Sequence, residues 1–340
     1  MRLVASIALI IAMSACSSGK SVSPPGPGAT VLVTAALASG VDLYRAGTDH
    51  QANKVGSLQP PAFAPHALSI TISAADNPVI CVVWAERRED PQLPQGSCYR
   101  PVPTTQLRTF GGTPINGLPA DVTAISISED GRRLAWLDPQ PTAGRPEKVD
   151  VVTGRFGPDG SVTETARVTP EGNRPSAQRP KAREVLWAGS TTLVVTAVNP
   201  DGSADEYITK PQSSPEGWLA GRSKNLGFVD PDLVWEDQIT VSATDRTALL
   251  LELAPFAANG SPRSRLVSVD RTTSRVLEIV AVAEPGRQVT LATGGVRGVV
   301  FDTDVDGEDT DVKTYLRLPG EKSGRLLKGL PLGARIAAQP

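Results

Sequence analysis

Val122 to Asp138 reads VTAISISEDGRRLAWLD. Its first half alternates apolar with small polar residues, Ser128-Glu129-Asp130-Gly131 interrupts it, and Arg133 to Asp138 returns to an apolar run. Alternation at a period of two marks a half-buried strand, and Asp-Gly between two such runs supplies the backbone freedom a tight hairpin needs. The stretch therefore predicts two antiparallel strands joined by a turn.

The same grammar recurs along the chain. ALSITISAADNPVICVVW (Ala67 to Trp84), AREVLWAGSTTLVVTAV (Ala182 to Val198), DQITVSATDRTALLLEL (Asp237 to Leu253) and QVTLATGGVRGVVFDT (Gln288 to Thr303) each read as strand, tight turn, strand. More polar third strands follow at Lys148 to Gly154, Ser264 to Asp270 and Val312 to Leu318, and fourth strands at Ser161 to Thr169, Ser274 to Val282 and Gly324 to Leu330. Four short strands repeated at intervals of roughly 50–60 residues predict the blades of a β-propeller. Thr30 to Gln59 holds what look like second, third and fourth strands (Thr30 to Ala35, Val41 to Arg45, Lys54 to Leu58) with no first strand, whereas residues 332–338 form a spare apolar segment at the other end. If that segment completes the first blade, the expected architecture is all-β, a single six-bladed propeller over residues 30–338. A seven-bladed ring or a pair of β-sandwiches are the alternatives. Trp84, Trp136, Trp187 and Trp235 fall in or beside predicted strands and are expected to pack between blades.

Ile127 to Trp136, ISEDGRRLAW, resembles the S-P-D-G-[KR]-x-[IL]-[AV]-[FW] core of the WD40-like repeats in TolB-like propellers, and Val299 to Leu316 looks like the next part of such a repeat. The resemblance implies an extracytoplasmic propeller used as a binding platform. It does not bring with it the envelope-translocation role of that family, because the chain has no room for the α/β domain that precedes the propeller there. The other units share the pattern without the letters, lacking Asp-Gly at Ala188-Gly189 and Thr293-Gly294.

The N-terminal MRLVASIALIIAMSAC carries one positive charge at Arg2 and an apolar run from Leu3 to Ala12, too short to span a bilayer as a helix of about 20 residues. Residues 1–15 are expected to be an export signal. Met13-Ser14-Ala15-Cys16 resembles a bacterial lipobox, which makes Cys16 the expected lipidation site, and two acyl chains are what stable anchoring requires. Residues 16–29 then form the lipidated cysteine and a Ser/Pro/Gly tether. The expected location is the extracytoplasmic face of the cell membrane, and the other two cysteines, Cys81 and Cys98, are expected to form a disulfide there. An excess of arginine over lysine, 25 against 9, suggests a GC-rich genome such as an actinobacterium's.

Charge and composition narrow the functional classes. The 340 residues carry 34 basic and 36 acidic side chains, a net −2 that argues against nucleic-acid binding. Two histidines, His50 and His66, lie in or beside connections of the first unit with no cysteine nucleophile at hand, and no G-x-S-x-G is present. No catalytic constellation emerges, although a hydrolase or lyase using carboxylates at the central mouth is a second reading. The densest acidic run is Asp302, Asp304, Asp306, Glu308, Asp309 and Asp311 around Gly307. Asp302-x-Asp304-x-Asp306-Gly307 has the first half of a calcium loop, but Lys313 and Thr310 stand where complete calcium motifs carry acids. A solvated hairpin is the plainer reading and calcium the other, with Asp302, Asp304, Asp306, Asp309 and Asp311 as its ligands. The expected role is non-catalytic: a monomer, held at the membrane by its lipid, that binds an envelope protein or other envelope component.

Overall fold

The computed structural model describes residues 31–37, 40–58, 60, 66–73, 79–86, 95–99, 122–142, 145–157, 161–170, 180–200, 204–209, 237–243, 246–253, 264–270, 273, 275–295, 297–305, 308–331 and 335–338. The expected signal peptide, Cys16, the tether and Trp235 lie outside them.

Five blades are cut from contiguous chain, each an antiparallel sheet of strands in sequence order. The first comprises β4 (His66–Ile72), β5 (Ile80–Ala85) and β6 (Gln95–Tyr99). The second comprises β7 (Ile125–Ile127), β8 (Arg133–Thr142), β9 (Arg145–Phe156) and β10 (Val162–Val168). β11 (Lys181–Ala188), β12 (Thr192–Val198) and β13 (Ala204–Thr209) make the third. β14 (Asp237–Ala243), β15 (Thr247–Leu253), β16 (Ser264–Asp270) and β17 (Arg275–Val282) make the fourth. The fifth is β18 (Gln288–Gly295), β19 (Gly298–Val305), β20 (Glu308–Arg317) and β21 (Arg325–Leu326). The two ends of the chain share a closing sheet, in which β22 (Arg335–Ala338) lies against β1 (Val31–Leu37), followed by β2 (Gly40–Ala46) and β3 (Ala52–Leu58).

The all-β class holds, but the ring of six four-stranded blades, and its seven-bladed option, are corrected to five. That expectation counted the shared sheet as an ordinary blade and gave every blade four full strands. Among the described residues, the first and third blades have three strands, and the fourth strand of the fifth is the two-residue β21.

The turn of the quoted hairpin shows why its residues were needed. Ser128 Oγ donates to Asp130 Oδ1 (2.6 Å) and accepts from Arg133 N (2.9 Å), while Asp130 Oδ1 also accepts from Arg132 N (3.0 Å). Gly131 sits at φ 68°, in the left-handed region open to glycine, and its N–H closes the turn on Ser128 O (2.9 Å).

Among the described residues, apolar side chains from neighbouring sheets form five clusters. Leu137, Val151, Trp187, Val195 and Tyr207 join the second and third blades; Trp136, Cys81, Cys98 and Val162 lie between the first and second; Leu266, Val280, Val289 and Phe301 lie between the fourth and fifth. The closing sheet packs through Val33, Val300, Leu316 and Ile336 on the fifth blade, and through Val41, Leu58, Ile80 and Trp84 on the first. Trp84, Trp136 and Trp187 are all buried in these clusters.

Candidate functional site

In the closing sheet and in the second, fourth and fifth blades, polar side chains gather toward the end where the second strand turns into the third. The closing sheet has Asp42 there. Its Oδ1 accepts from Ser57 Oγ (2.7 Å), and its Oδ2 accepts from Tyr44 OH (3.3 Å) and pairs with Lys54 Nζ (2.8 Å). Burial, with Asp42 beside it, pushes the Tyr44 phenol up to about 12.

The second blade carries the largest cluster. Asp138 and Asp150 are direct cross-strand partners on β8 and β9, an arrangement that like charge makes costly. Arg167 on β10 resolves it: Nη1 reaches Asp138 Oδ2 (2.5 Å) and Asp150 Oδ2 (3.3 Å), while Nη2 binds Glu164 Oε2 (2.9 Å). Lys148 Nζ (3.3 Å) and Thr169 Oγ1 (2.5 Å) complete the shell around Asp150. These bonds, Glu164's foremost, hold the guanidinium more firmly protonated than usual.

In the fourth blade Glu252 and Arg265 are also cross-strand partners, with Arg265 Nε donating to Glu252 Oε2 (2.5 Å), both buried. In the fifth, Asp302 and Asp304 on β19 are each 3% exposed. Thr314 Oγ1 donates to Asp302 Oδ1 (2.5 Å), yet desolvation, with Asp304 adding to it, raises the Asp302 carboxyl to about 7. Arg287, buried at the entry to β18, donates Nη1 to Asp311 Oδ2 (2.6 Å), Nε to Thr303 Oγ1 (3.0 Å) and Nη2 to Thr303 O (2.8 Å), and also bonds Asp311 O. The Asp311 carboxyl is held below its ordinary value chiefly by that guanidinium.

Asp302 and Asp304 point into the blade, Asp311 lies at the surface on Arg287, Asp306 lies outside the described residues, and the side chain of Asp309 does too. Among the described residues no three His, Cys, Asp or Glu side chains come together to hold a metal ion. At this rim, Asp42, Asp138, Asp150, Glu252, Asp302 and Asp311 each spend a carboxylate on a neighbour within their own blade, an arrangement suited to fixing loops in place.

The histidines stand elsewhere. His50, at φ 55°, is buried in the turn between β2 and β3, with Nδ1 3.0 Å from Thr48 O and Nε2 3.2 Å from Glu321 Oε2 of the fifth blade. Glu321 Oε2 also accepts from Leu318 N (2.9 Å), and the backbone of Lys328 bonds both His50 O (3.0 Å) and Ala52 N (2.7 Å). This is a clasp between the fifth blade and the closing sheet, which no local pattern in the sequence announces. His66, at the start of β4, has a buried Nδ1 with no hydrogen-bond partner among the described residues. Cys81 and Cys98 are opposite each other on β5 and β6 and are joined by a disulfide.

No protein-family model matches the chain, and no curated protein is similar to it in sequence. Solved structures are similar in fold. A candidate TolB from Agrobacterium tumefaciens superposes with a TM-score of 0.51 at 12% identity, covering 92% of this chain and 100% of that one. A DUF4784 family protein from Bacteroides caccae gives 0.48 at 11% identity, over 92% and 75% of the two chains. The β-propeller domain of the Trilobed protease from Pyrococcus furiosus gives 0.44 at 12%, over 76% and 82%. The first of these shows that the chain shares the β-propeller fold.

Proposed function

We propose that the chain is a lipid-anchored, extracytoplasmic propeller that serves as a non-catalytic platform for an envelope protein, presented through the loops at the rim described above. The observation that carries this reading is the state of the rim carboxylates: Asp138 and Asp150 on Arg167, Glu252 on Arg265, Asp311 on Arg287. Acids fastened to guanidinium groups within their own blades are held in fixed positions, which stiffens the surface a partner would meet. The N-terminal export pattern ending in Cys16 supports the anchor, and the disulfide is the chemistry expected of an exported chain.

Two measurements test it. In-cell crosslinking followed by mass spectrometry should return one reproducible envelope-protein partner, and its absence would count against the platform. Cys16→Ser should release the chain from membranes into the soluble fraction; retention would remove the anchor.

A further inference from the structure

Six large hydrophobic side chains among the described residues are exposed, and all six lie on two adjacent blades. Val276, Leu277, Ile279 and Val282 are on β17, Val305 on β19 and Leu326 on β21, each between 36% and 54% exposed. Single exposed aliphatics are ordinary, but four on one outer strand beside a fifth on the neighbouring outer strand make a patch. The two strands are tied into one surface by Arg317 on β20, whose Nη2 lies 2.7 Å from Glu278 Oε2 on β17.

The charge around the patch is predominantly basic, with Glu278, which pairs with Arg317, Glu284 and Glu321 as the acids against it. From residue 317 to 328 the chain carries Arg317, Lys322, Arg325 and Lys328 against the single carboxylate of Glu321, and Arg275 opens β17. Lys322, Arg325, Lys328 and Arg275 are all exposed. This local basic excess sits in a chain whose net charge is −2.

Two kinds of partner could cover an apolar outer strand: another strand or a fluid surface. A partner strand needs a regular edge with side chains alternating between faces. β17 offers neither. Its register against β16 slips twice, between Leu266/Val267 and between Ser268/Val269, and five successive residues from Arg275 to Ile279 are exposed. Bulges of this kind are how edges are made unfit for strand pairing. A bilayer imposes no register; it needs aliphatic side chains at the depth of the headgroups and cations to meet anionic lipid. Fourteen residues, 17–30, separate Cys16 from β1, and extended they reach about 50 Å at most. A domain held that close meets the membrane continually.

We infer that the outer face of the fourth and fifth blades, centred on Leu277 and Ile279, docks onto an anionic lipid bilayer. The inference rests on the anchored reading above and adds to it an orientation: the propeller lies on its edge against the membrane.

Photocrosslinking tests this with the full-length chain reconstituted in vesicles of phosphatidylcholine containing phosphatidylglycerol. p-Benzoylphenylalanine in place of Ile279 should give phospholipid adducts on irradiation, and in place of Lys181, exposed on the third blade, should give none. Lys322→Glu with Arg325→Glu should lower the adduct yield at 279 severalfold on these vesicles and leave it unchanged on phosphatidylcholine alone. If the chain floats with the vesicles but position 279 yields a protein adduct, a dimer or nothing, the docking face is wrong and the anchor stands. If the chain does not float with the vesicles, both fall.

Discussion

At the scale of single residues, Asp302 and Gly154 make the most definite statements. The Asp302 carboxyl stands at about 7 when folded, against an ordinary 3.8. The unfolded chain therefore loses this proton first as pH rises, so the group's contribution to stability is full below about 4, declines up to about 7 and stays low above that. Asp302→Asn keeps the acceptor for Thr314 and removes the titration. Its unfolding midpoint in urea should match the parent near pH 4 and exceed it at pH 8, by an amount of order 1 kcal/mol or more. Gly154 on β9 lies beneath Trp136: a Cβ there would come 2.9 Å from Trp136 Cζ3 and 2.8 Å from Val162 Cγ1. Gly154→Ala should cost about 1–3 kcal/mol by overpacking, measured as a lowered midpoint at unchanged slope.

At the scale of elements, β6 is the strand most dependent on a covalent tie. Among the described residues it is the outermost strand of its blade, and it is stapled to β5 by Cys81–Cys98. Reduction, or Cys81→Ser with Cys98→Ser, should destabilise the protein by about 3 kcal/mol, with the earliest loss of amide protection in β5 and β6. This is also the scale at which the sequence was most legible. The runs on either side of Ser128–Arg133 and of the Gly-rich stretch Gly294 to Gly298 mark strands that fall at β7 and β8 and at β18 and β19, because period-two burial and turn chemistry are local properties. β21 shrank to two residues because GRLLKGL spends its apolar residues differently: Leu327 is buried against the closing sheet and Leu326 is turned out. The rim clusters could not be read at all. Whether Asp138 stands opposite Asp150, with Arg167 near enough to bridge them, is set by strand register and not by spacing along the chain.

At the scale of the whole molecule, the contact between the two chain ends decides integrity. β22 lies on β1 with Val33 opposite Ala338 and Ala35 opposite Ile336, and Ile336 is buried among Val31, Val33, Val300 and Leu316. Removing residues 331–340 exposes that seam and leaves one edge of β1 unpaired. The melting temperature should fall by several degrees, and an unchanged value would show that the seam holds without β22. The pairing of the chain ends was legible, since the spare apolar segment at 332–338 was expected to complete the sheet that β1 to β3 begin, and β22 lies there; the number of blades was not, because local patterns locate strands without showing how sheets divide around the ring.

That shared sheet also gives the molecule an order of events in time. β1 is made first and β22 last, and closing so long a loop is slow compared with forming the hairpins between them. While β22 is still unpaired, the blades already formed make an open string in which β1 lacks a neighbour on one side. Completion then waits on β22, so the ring shuts only once that strand is in place on β1.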